Sequence, residues 1–376
     1  MKHPIVESYR YMAELRPCVK LLSIGMVVLL ASCEFPPAQT TQVGYRGLGM
    51  EQVAHPARVQ QVLAANVVPE AVPPAGADGP RASEVFQNVH VLGDLSTAEF
   101  TRLMLAMTSW VAPQEGCNYC HAPSDLAADS VYAKVVARRM LQMTRYINSN
   151  QGDLSAHVGT TGVTCYTCHR GNPVPLNVWS FDSGPAEPGG AAAHRNGQNR
   201  AAVAAVGYTA LPADPFGPYL DQGDPIRVVS TQALPVKGAG TGPTIQATEA
   251  TYGLMMHMSG ALGVNCTFCH NSRSFAAWDS SRPTRVTAWH AIRNVRDINT
   301  NFIEGLASVL PAAHKGPGGD ALKANCATCH QGLNKPLNGV SMLADYPELR
   351  PARAASAAPA VPAPAPAPRD SQPAAM

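Results

Sequence analysis

Along the 376-residue chain, apolar residues recur every three or four positions in four stretches, the spacing that lines one face of a helix. The first opens at Ser96-Thr97-Ala98-Glu99, a capping box, and runs to about Trp110, ahead of Pro113. The second spans Ser130 to Asn148, the third starts near Thr248 and Glu249, and the fourth runs from about Thr284 to before Pro311. Upstream, Arg16 and Lys20 precede an apolar run from Leu21 to Leu30. At about ten residues it is too short to cross a bilayer and fits the hydrophobic region of a signal peptide. Residues 181–245 are rich in Gly, Ala and Pro without a sustained period, which predicts an ordered crossing loop with a more mobile part near Gly184 to Gly207. The tail beyond Ala354, with its alternating Pro and Ala, predicts a disordered polyproline-like extension.

Composition narrows the reading. The chain is 45% hydrophobic but only 6% aromatic and 14% charged, and it carries 31 Gly and 33 Pro, so its apolar core is small for its length. A net charge of +2 with no Lys/Arg block gives nucleic-acid binding no electrostatic support. The apolar run ends in Leu30-Ala31-Ser32-Cys33, which resembles a bacterial lipobox. Cleavage before Cys33 would make that residue the lipid-modified start of a nearly neutral mature chain. The layout expected is a lipoprotein signal peptide at 1–32, a lipid-anchored extended arm at 33–90 and functional units at 91–180 and 246–345. Residues 181–245 link the units, and 346–376 form the tail.

The cysteines carry the chemistry. Of ten, Cys18 falls in the signal peptide and Cys33 at its end. The other eight form Cys117-Asn-Tyr-Cys120-His121, Cys165-Tyr-Thr-Cys168-His169, Cys266-Thr-Phe-Cys269-His270 and Cys326-Ala-Thr-Cys329-His330. Two thiols on one turn can add across the two vinyl groups of a haem, and the next His is placed to bind its iron. A disulfide framework would not require His after every pair, a zinc ribbon needs no trailing His, and a thioredoxin-like pair needs a βαβ context that is missing. Four covalent c-type haems follow. The Arg138-Arg139 face of the second helix is then expected to meet solvent or haem propionates.

Methionines supply candidate distal ligands. Three clusters, Met104-x-x-Met107-Thr108, Met140-x-x-Met143-Thr144 and Met255-Met256-His257-Met258-Ser259, begin 13, 25 and 11 residues before a haem cysteine. A single Met pair on a helix is ordinary core filling; three in register with three haem motifs are not. The fourth helix breaks the pattern. Aligning Tyr146-Ile147-Asn148 with Asp297-Ile298-Asn299 puts Ala291 opposite Met140 and Asn294 opposite Met143. Its haem must find another ligand, and spacing leaves His157, His290, His314 and Met342 open, as it leaves Met140 and Met143 open for the second cluster. A helix, a turn and C-x-x-C-H thus recur four times. The matching tails Arg-Gly-Asn-Pro-Val-Pro-Leu-Asn after His169 and Gln-Gly-Leu-Asn-Lys-Pro-Leu-Asn after His330 suggest a duplication into two pseudo-twofold-related pairs. The fold class expected is mainly α with much irregular structure.

Phrases such as Trp110-Val-Ala-Pro113, Gly116-Cys-Asn-Tyr-Cys-His121, Gly162-Val-Thr-Cys-Tyr-Thr-Cys-His-Arg-Gly171 and Leu262-Gly-Val-Asn-Cys-Thr-Phe-Cys-His270 closely resemble the tetrahaem cytochrome subunit of purple-bacterial photosynthetic reaction centres. The likeness covers about Thr97 to Gly339 apart from the central loop. It implies Met/His ligation of three haems through Met104, Met140 and Met255, and His/His ligation of the fourth with His157 as distal ligand. His257 and His290 then stand near the haems without ligating. It also implies an electron carrier without substrate chemistry, lipid-anchored at the periplasmic face of the photosynthetic inner membrane on the reaction-centre subunits. Electrons would come from a soluble cytochrome c or a high-potential iron–sulfur protein and leave to the photo-oxidised bacteriochlorophyll pair. A reductase would need an open or Lys-ligated iron, and an all-His storage cytochrome would leave the Met clusters unexplained.

Overall fold

All four predicted helical stretches are helices in the computed structural model, which describes residues 36–181, 214–226 and 245–351. Cys33, the signal peptide, most of the 181–245 connection and the Pro/Ala tail lie outside the described residues. A short antiparallel hairpin of β1 (Gln39–Gln42) and β2 (Glu51–Ala54) leads into α1 (Pro56–Ala64), whose first position is a proline. Proline suits that place because its fixed φ is helical and its missing N–H would have no partner there. The turn α2 (Ala82–Val85) precedes α3 (Thr97–Val111). Ser96 Oγ accepts the Glu99 N–H at 3.1 Å while the Glu99 carboxylate accepts the Ser96 N–H at 2.9 Å, the predicted capping box.

Next come α4 (Tyr132–Ile147), α5 (Gly152–His157) and α6 (Cys165–His169), then α7 (Gly217–Leu220), α8 (Ile245–Leu262), α9 (Thr284–Ile298) and α10 (Cys326–His330). The run predicted from Thr284 toward Pro311 is present, but at Asn299 it passes into a π turn, Asn299–Ile303, and then a 3-10 turn, Glu304–Ser308. The segment expected to be an extended arm holds the hairpin and α1 because it has partners on the body. The Gln52 side chain donates to Gly263 O and accepts the Asn265 N–H, and Asn66 donates to Gln331 O.

The core is split. One cluster joins α3 and α4 to the C-terminal segment, with Leu92, Leu103, Trp110, Leu141, Leu343, Tyr346 and Leu349 at its heart. Trp110 meets the Tyr346 ring edge-on at 4.6 Å. The other joins α8 and α9 through Trp179, Phe216, Leu220, Leu254, Met258 and Ile292. The described piece of the connection, 214–226, thus contributes Phe216, Tyr219 and Leu220 to the second core. Its turn is held by Asp214, whose carboxylate accepts the N–H groups of Phe216 and Gly217 at 3.0 and 2.7 Å.

Buried charge ties the first core together. Arg102, 5% exposed, pairs with Glu348 at 2.8 Å, donates to the carbonyls of Val72, Pro73 and Asp345, and lies 4.1 Å over the Tyr346 ring. Arg145 forks on Asp94 and donates to Val91 O and Glu348 O. Of the Arg138-Arg139 pair, Arg138 forks on Asp129 with two 2.7 Å bonds, and Arg139 spans to Gln142 and Asn301 O over the Phe302 ring.

Removing one member of a buried pair strands the other. Arg102→Ala is expected to destabilise the protein by about 3–5 kcal/mol, read as a lower denaturation midpoint. Glu348→Gln, which keeps a hydrogen-bond acceptor, should lose less.

Candidate haem sites

The four C-x-x-C-H turns fall into two geometric kinds. The first and third begin as 3-10 turns, Gly116–Tyr119 and Cys266–Phe268, and their histidines place Nδ1 at 2.8 Å from Leu126 O and 2.9 Å from Phe275 O, five residues on. The second and fourth are the helices α6 and α10, and their histidines place Nδ1 at 2.8 Å from Asn172 O and 2.8 Å from Leu333 O, three residues on. A carbonyl oxygen only accepts, so each Nδ1 holds the proton and each Nε2 keeps a lone pair for a metal. All four motif histidines are thus braced with Nε2 free to meet a metal.

The frames around the second and fourth turns match bond for bond. Asn148 accepts the Val163 N–H at 2.8 Å and donates to Val163 O and Leu349 O. Asn299 accepts the Ala324 N–H at 2.8 Å and donates to Ala324 O and Leu220 O. Val163 and Ala324 each stand two residues before the first cysteine of their motif. Thr167 Oγ1 accepts the Thr164 N–H as Thr328 Oγ1 accepts the Asn325 N–H. After each motif the chain turns through a left-handed residue, Arg170 or Gln331. The next glycine then donates to a helix end, Gly171 to Trp110 O of α3 and Gly332 to Ala261 O of α8. Gly263 must stay small, because a Cβ there would lie 2.1 Å from Gly332 O.

Six of the eight predicted ligands, all but Met255 and His270, line one cavity of about 930 Å³. Met104, Met107, Met140, Met143, Met258 and His157 line it together with the first, second and fourth motif histidines. Met255 packs instead on the α8–α9 core, and in the third cluster it is Met258 that borders the cavity. Thr108 and Thr144 hydroxyls donate to Met104 O and Met140 O at 2.9 and 2.8 Å, so these two residues hold equivalent places on their helices.

Of the four candidates left open for the fourth motif, His157 faces it. The His157 and His330 rings lie 6.1 Å apart, 25° from parallel. Two imidazoles on one metal, with metal–nitrogen bonds of about 2 Å, have ring centres about 6 Å apart, so the pair fits a shared iron. His290 is occupied by Asp153 at 2.6 Å, and His314 faces Tyr132. Met342 Sδ takes the Thr164 hydroxyl at 3.5 Å, beside the second motif. His257 is buried edge-on to Phe216.

Protonation states suit the chemistry. Burial, with His330 and His290 nearby, holds His157 down to about 4, and burial likewise lowers His169, His330 and His270. These imidazoles stay neutral near pH 7 and keep a lone pair for metal. Burial pushes the Cys165 and Cys326 thiols up to about 12, and burial and then Cys117 push Cys120 up to about 11. Cys168 and Cys329 lie side by side where α6 and α10 cross, their Cα atoms 4.5 Å apart. A sulfur forms a thioether or a disulfide but not both, so haem attachment there requires both as thiols.

Two features escaped the sequence reading: the anchoring role of Asn148 and Asn299, signalled only by the repeated Ile-Asn, and Asn294 at 3.2 Å from His157 Nδ1, which leaves no signal in one sequence.

A mainly helical chain carrying braced C-x-x-C-H histidines is a c-type cytochrome. The family description "Photosynthetic reaction centre cytochrome C subunit" matches residues 34–350. The chain is 52% identical over 338 residues to the photosynthetic reaction center cytochrome c subunit of Rubrivivax gelatinosus, covering 90% of both chains. It is 53% identical over 323 residues to that of Thermochromatium tepidum, covering 86% of this chain and 78% of the relative. A more distant relative, from Roseobacter denitrificans, is 39% identical over 335 residues, 85% of this chain and 88% of its own length. The chain belongs to the family of photosynthetic reaction centre cytochrome c subunits. Its function is photosynthetic electron transfer with covalently bound haem. Among the described residues no helix is long and apolar enough to cross a membrane.

Asn148→Ala and Asn299→Ala each leave buried backbone groups unpaired, at about 1–3 kcal/mol. Each variant is expected to lower thermal stability and to reduce haem retention at the adjacent motif alone, the second for Asn148 and the fourth for Asn299. Mapping haem-bearing peptides by mass spectrometry checks this.

Proposed function

We propose that the chain carries four c-type haems in two pseudo-twofold-related pairs, attached through Cys117/Cys120, Cys165/Cys168, Cys266/Cys269 and Cys326/Cys329. His121, His169, His270 and His330 are the proximal ligands, and Met104, Met140, Met255 and His157 the distal ones. The observation that carries this reading is the common brace: every motif histidine has Nδ1 on a backbone carbonyl, and His157 stands opposite His330 at 6.1 Å. The matched frames around the second and fourth motifs support the duplication. Bound haem supplies one-electron iron chemistry. The residues of the chain saturate the metal on both sides, which leaves no coordination position for a substrate and makes the protein a carrier rather than an enzyme. Thioether sulfur favours ferrous iron more than imidazole does, so the Met/His sites lie above the His/His site in comparable surroundings. Neutral, buried imidazoles add no charge of their own to that ordering.

In this reading Cys33 bears lipid and holds the protein at the periplasmic face of the photosynthetic membrane, on the reaction-centre subunits. The hairpin that follows Cys33 is seated on the third motif, with Ser272 Oγ donating to Leu48 O and Gln52 bonded to Gly263 and Asn265. A soluble cytochrome c or high-potential iron–sulfur protein delivers electrons, and the photo-oxidised bacteriochlorophyll pair receives them. The relatives' names support the association with the reaction centre, and the Leu30-Ala-Ser-Cys33 sequence supports the lipid.

The expected haem content is four per chain by pyridine haemochrome assay of purified protein, and a lower ratio sinks the count. In native membranes, haem oxidation should follow a flash that oxidises the pigment pair; failure to do so removes the electron route while leaving the haem count intact.

A further inference from the structure

In the fourth repeat, α9 takes the place that α4 holds in the second, with Ala291 and Asn294 where the methionines would stand. Ala291 borders the cavity and is small enough to admit an imidazole from α5. Asn294, 3% exposed, reaches across to α5, its amide nitrogen 3.1 Å from Asp153 O and 3.2 Å from His157 Nδ1. The neighbouring charges are committed elsewhere. The Asp153 carboxylate is held by His290 Nδ1 at 2.6 Å and Arg293 Nε at 2.7 Å, and Arg293 lies over the Trp289 ring. Asn294 is therefore the group that meets the outer nitrogen of His157.

The four proximal imidazoles face carbonyl oxygens, which accept in any circumstance and strengthen the imidazole as a donor to metal. Asn294 differs, because an amide presents either a donor or an acceptor end. With iron on Nε2, the neutral ring carries its proton on Nδ1. The amide must then turn Oδ1 toward it and surrender its bond to Asp153 O. An acceptor reached only by breaking another bond draws on the Nδ1 proton less than a committed carbonyl does. His157 is then a weaker electron donor than His330, which favours the ferrous state. Resting on the ligation proposed above, we infer that Asn294 is a positioning residue that sets the reduction potential of the His157/His330 haem, holding it above the value two carbonyl-braced imidazoles would give.

Potentiometric titration of the holoprotein, resolved haem by haem, tests this. Asn294→Asp installs an obligate acceptor and is expected to lower the midpoint of that haem, changing its ferrous-to-ferric ratio at fixed ambient potential by about tenfold, or about 59 mV for one electron. Asn294→Leu removes the acceptor and should move the midpoint upward, Asn294→Gln should stay near the parent, and the other haems should keep their potentials. Shifts of equal sign in the Asp and Leu variants, no shift in any, or an Asp shift shared by neighbouring haems, as a bare charge would produce, overturn the inference. If the Leu variant fails to take up haem, the Asp and Gln variants carry the same comparison. His157→Met examines the ligation separately: the fourth haem should exchange its bis-imidazole electron-paramagnetic signature for a Met/His one. An unchanged signature removes both the ligation and the inference. A changed signature with unmoved Asn294 midpoints removes the inference alone.

Discussion

Each C-x-x-C-H histidine is committed by a backbone carbonyl to keep its proton on Nδ1, and most of the surrounding architecture serves to hold that carbonyl in place. A ring that could rotate or change tautomer would offer metal a proton instead of a lone pair. At the second and fourth motifs the acceptor belongs to the chain just past the motif, so its position depends on the left-handed turn at Arg170 or Gln331 and on the glycine docked to a helix end. Ahead of the motif, Asn148 and Asn299 fix the entering strand through both its N–H and its carbonyl. Each asparagine is itself fixed by sitting at the end of a packed helix. The proximal site is thus determined from the helical core outward, one hydrogen bond at a time.

This dependence explains why the core takes an unusual form. A cavity bordered by three of the motif histidines runs through the molecule, so apolar side chains cannot meet across the centre and instead form two separate clusters. Buried polar links make up for the missing continuity. Arg102 gathers the carbonyls of Val72, Pro73 and Asp345 with the carboxylate of Glu348, and Arg145 joins Asp94 to Glu348 O. Together they bind the arm, α3, α4 and the C-terminal segment into one body. Such links repay their desolvation only when nearly every donor is used, and both guanidinium groups meet that condition.

Much of this was legible in the sequence because the relevant signals are local. The capping box at Ser96 and Glu99, the 3.6-residue period and the four C-x-x-C-H turns each declare themselves within a few residues. The identity of the fourth distal ligand was less accessible. His157 and His330 are 173 positions apart in the chain, and spacing alone left His290, His314 and Met342 as equals. What separates them is tertiary: Asp153 captures His290, Tyr132 faces His314 and Thr164 faces Met342. The crossing of α6 and α10 that brings Cys168 to Cys329 was equally invisible, since it follows from how the two halves meet. In the N-terminal segment the amides of Gln52 and Asn66 are bonded to backbone groups of the body, a tertiary feature that no local pattern announces.

The fourth repeat shows how a duplicated scaffold can change its chemistry without changing its shape. The helix itself and its terminal asparagine are preserved between α4 and α9, so the strand leading into the motif is held in the same way in both halves. What differs is one face of one helix. A methionine replaced by Ala291 opens room, and a second replaced by Asn294 supplies a hydrogen bond to the imidazole that enters from α5. Asp153, His290 and Arg293 then fasten α5 to α9, which gives the incoming His157 a rigid mount despite its short helix. Under the proposed ligation, two differences on one helix face accompany the exchange of sulfur for nitrogen at one site in four. A carrier can therefore vary its potentials along the chain while the proximal frame stays constant, because the distal ligand hangs from a separate helix whose fold does not depend on it.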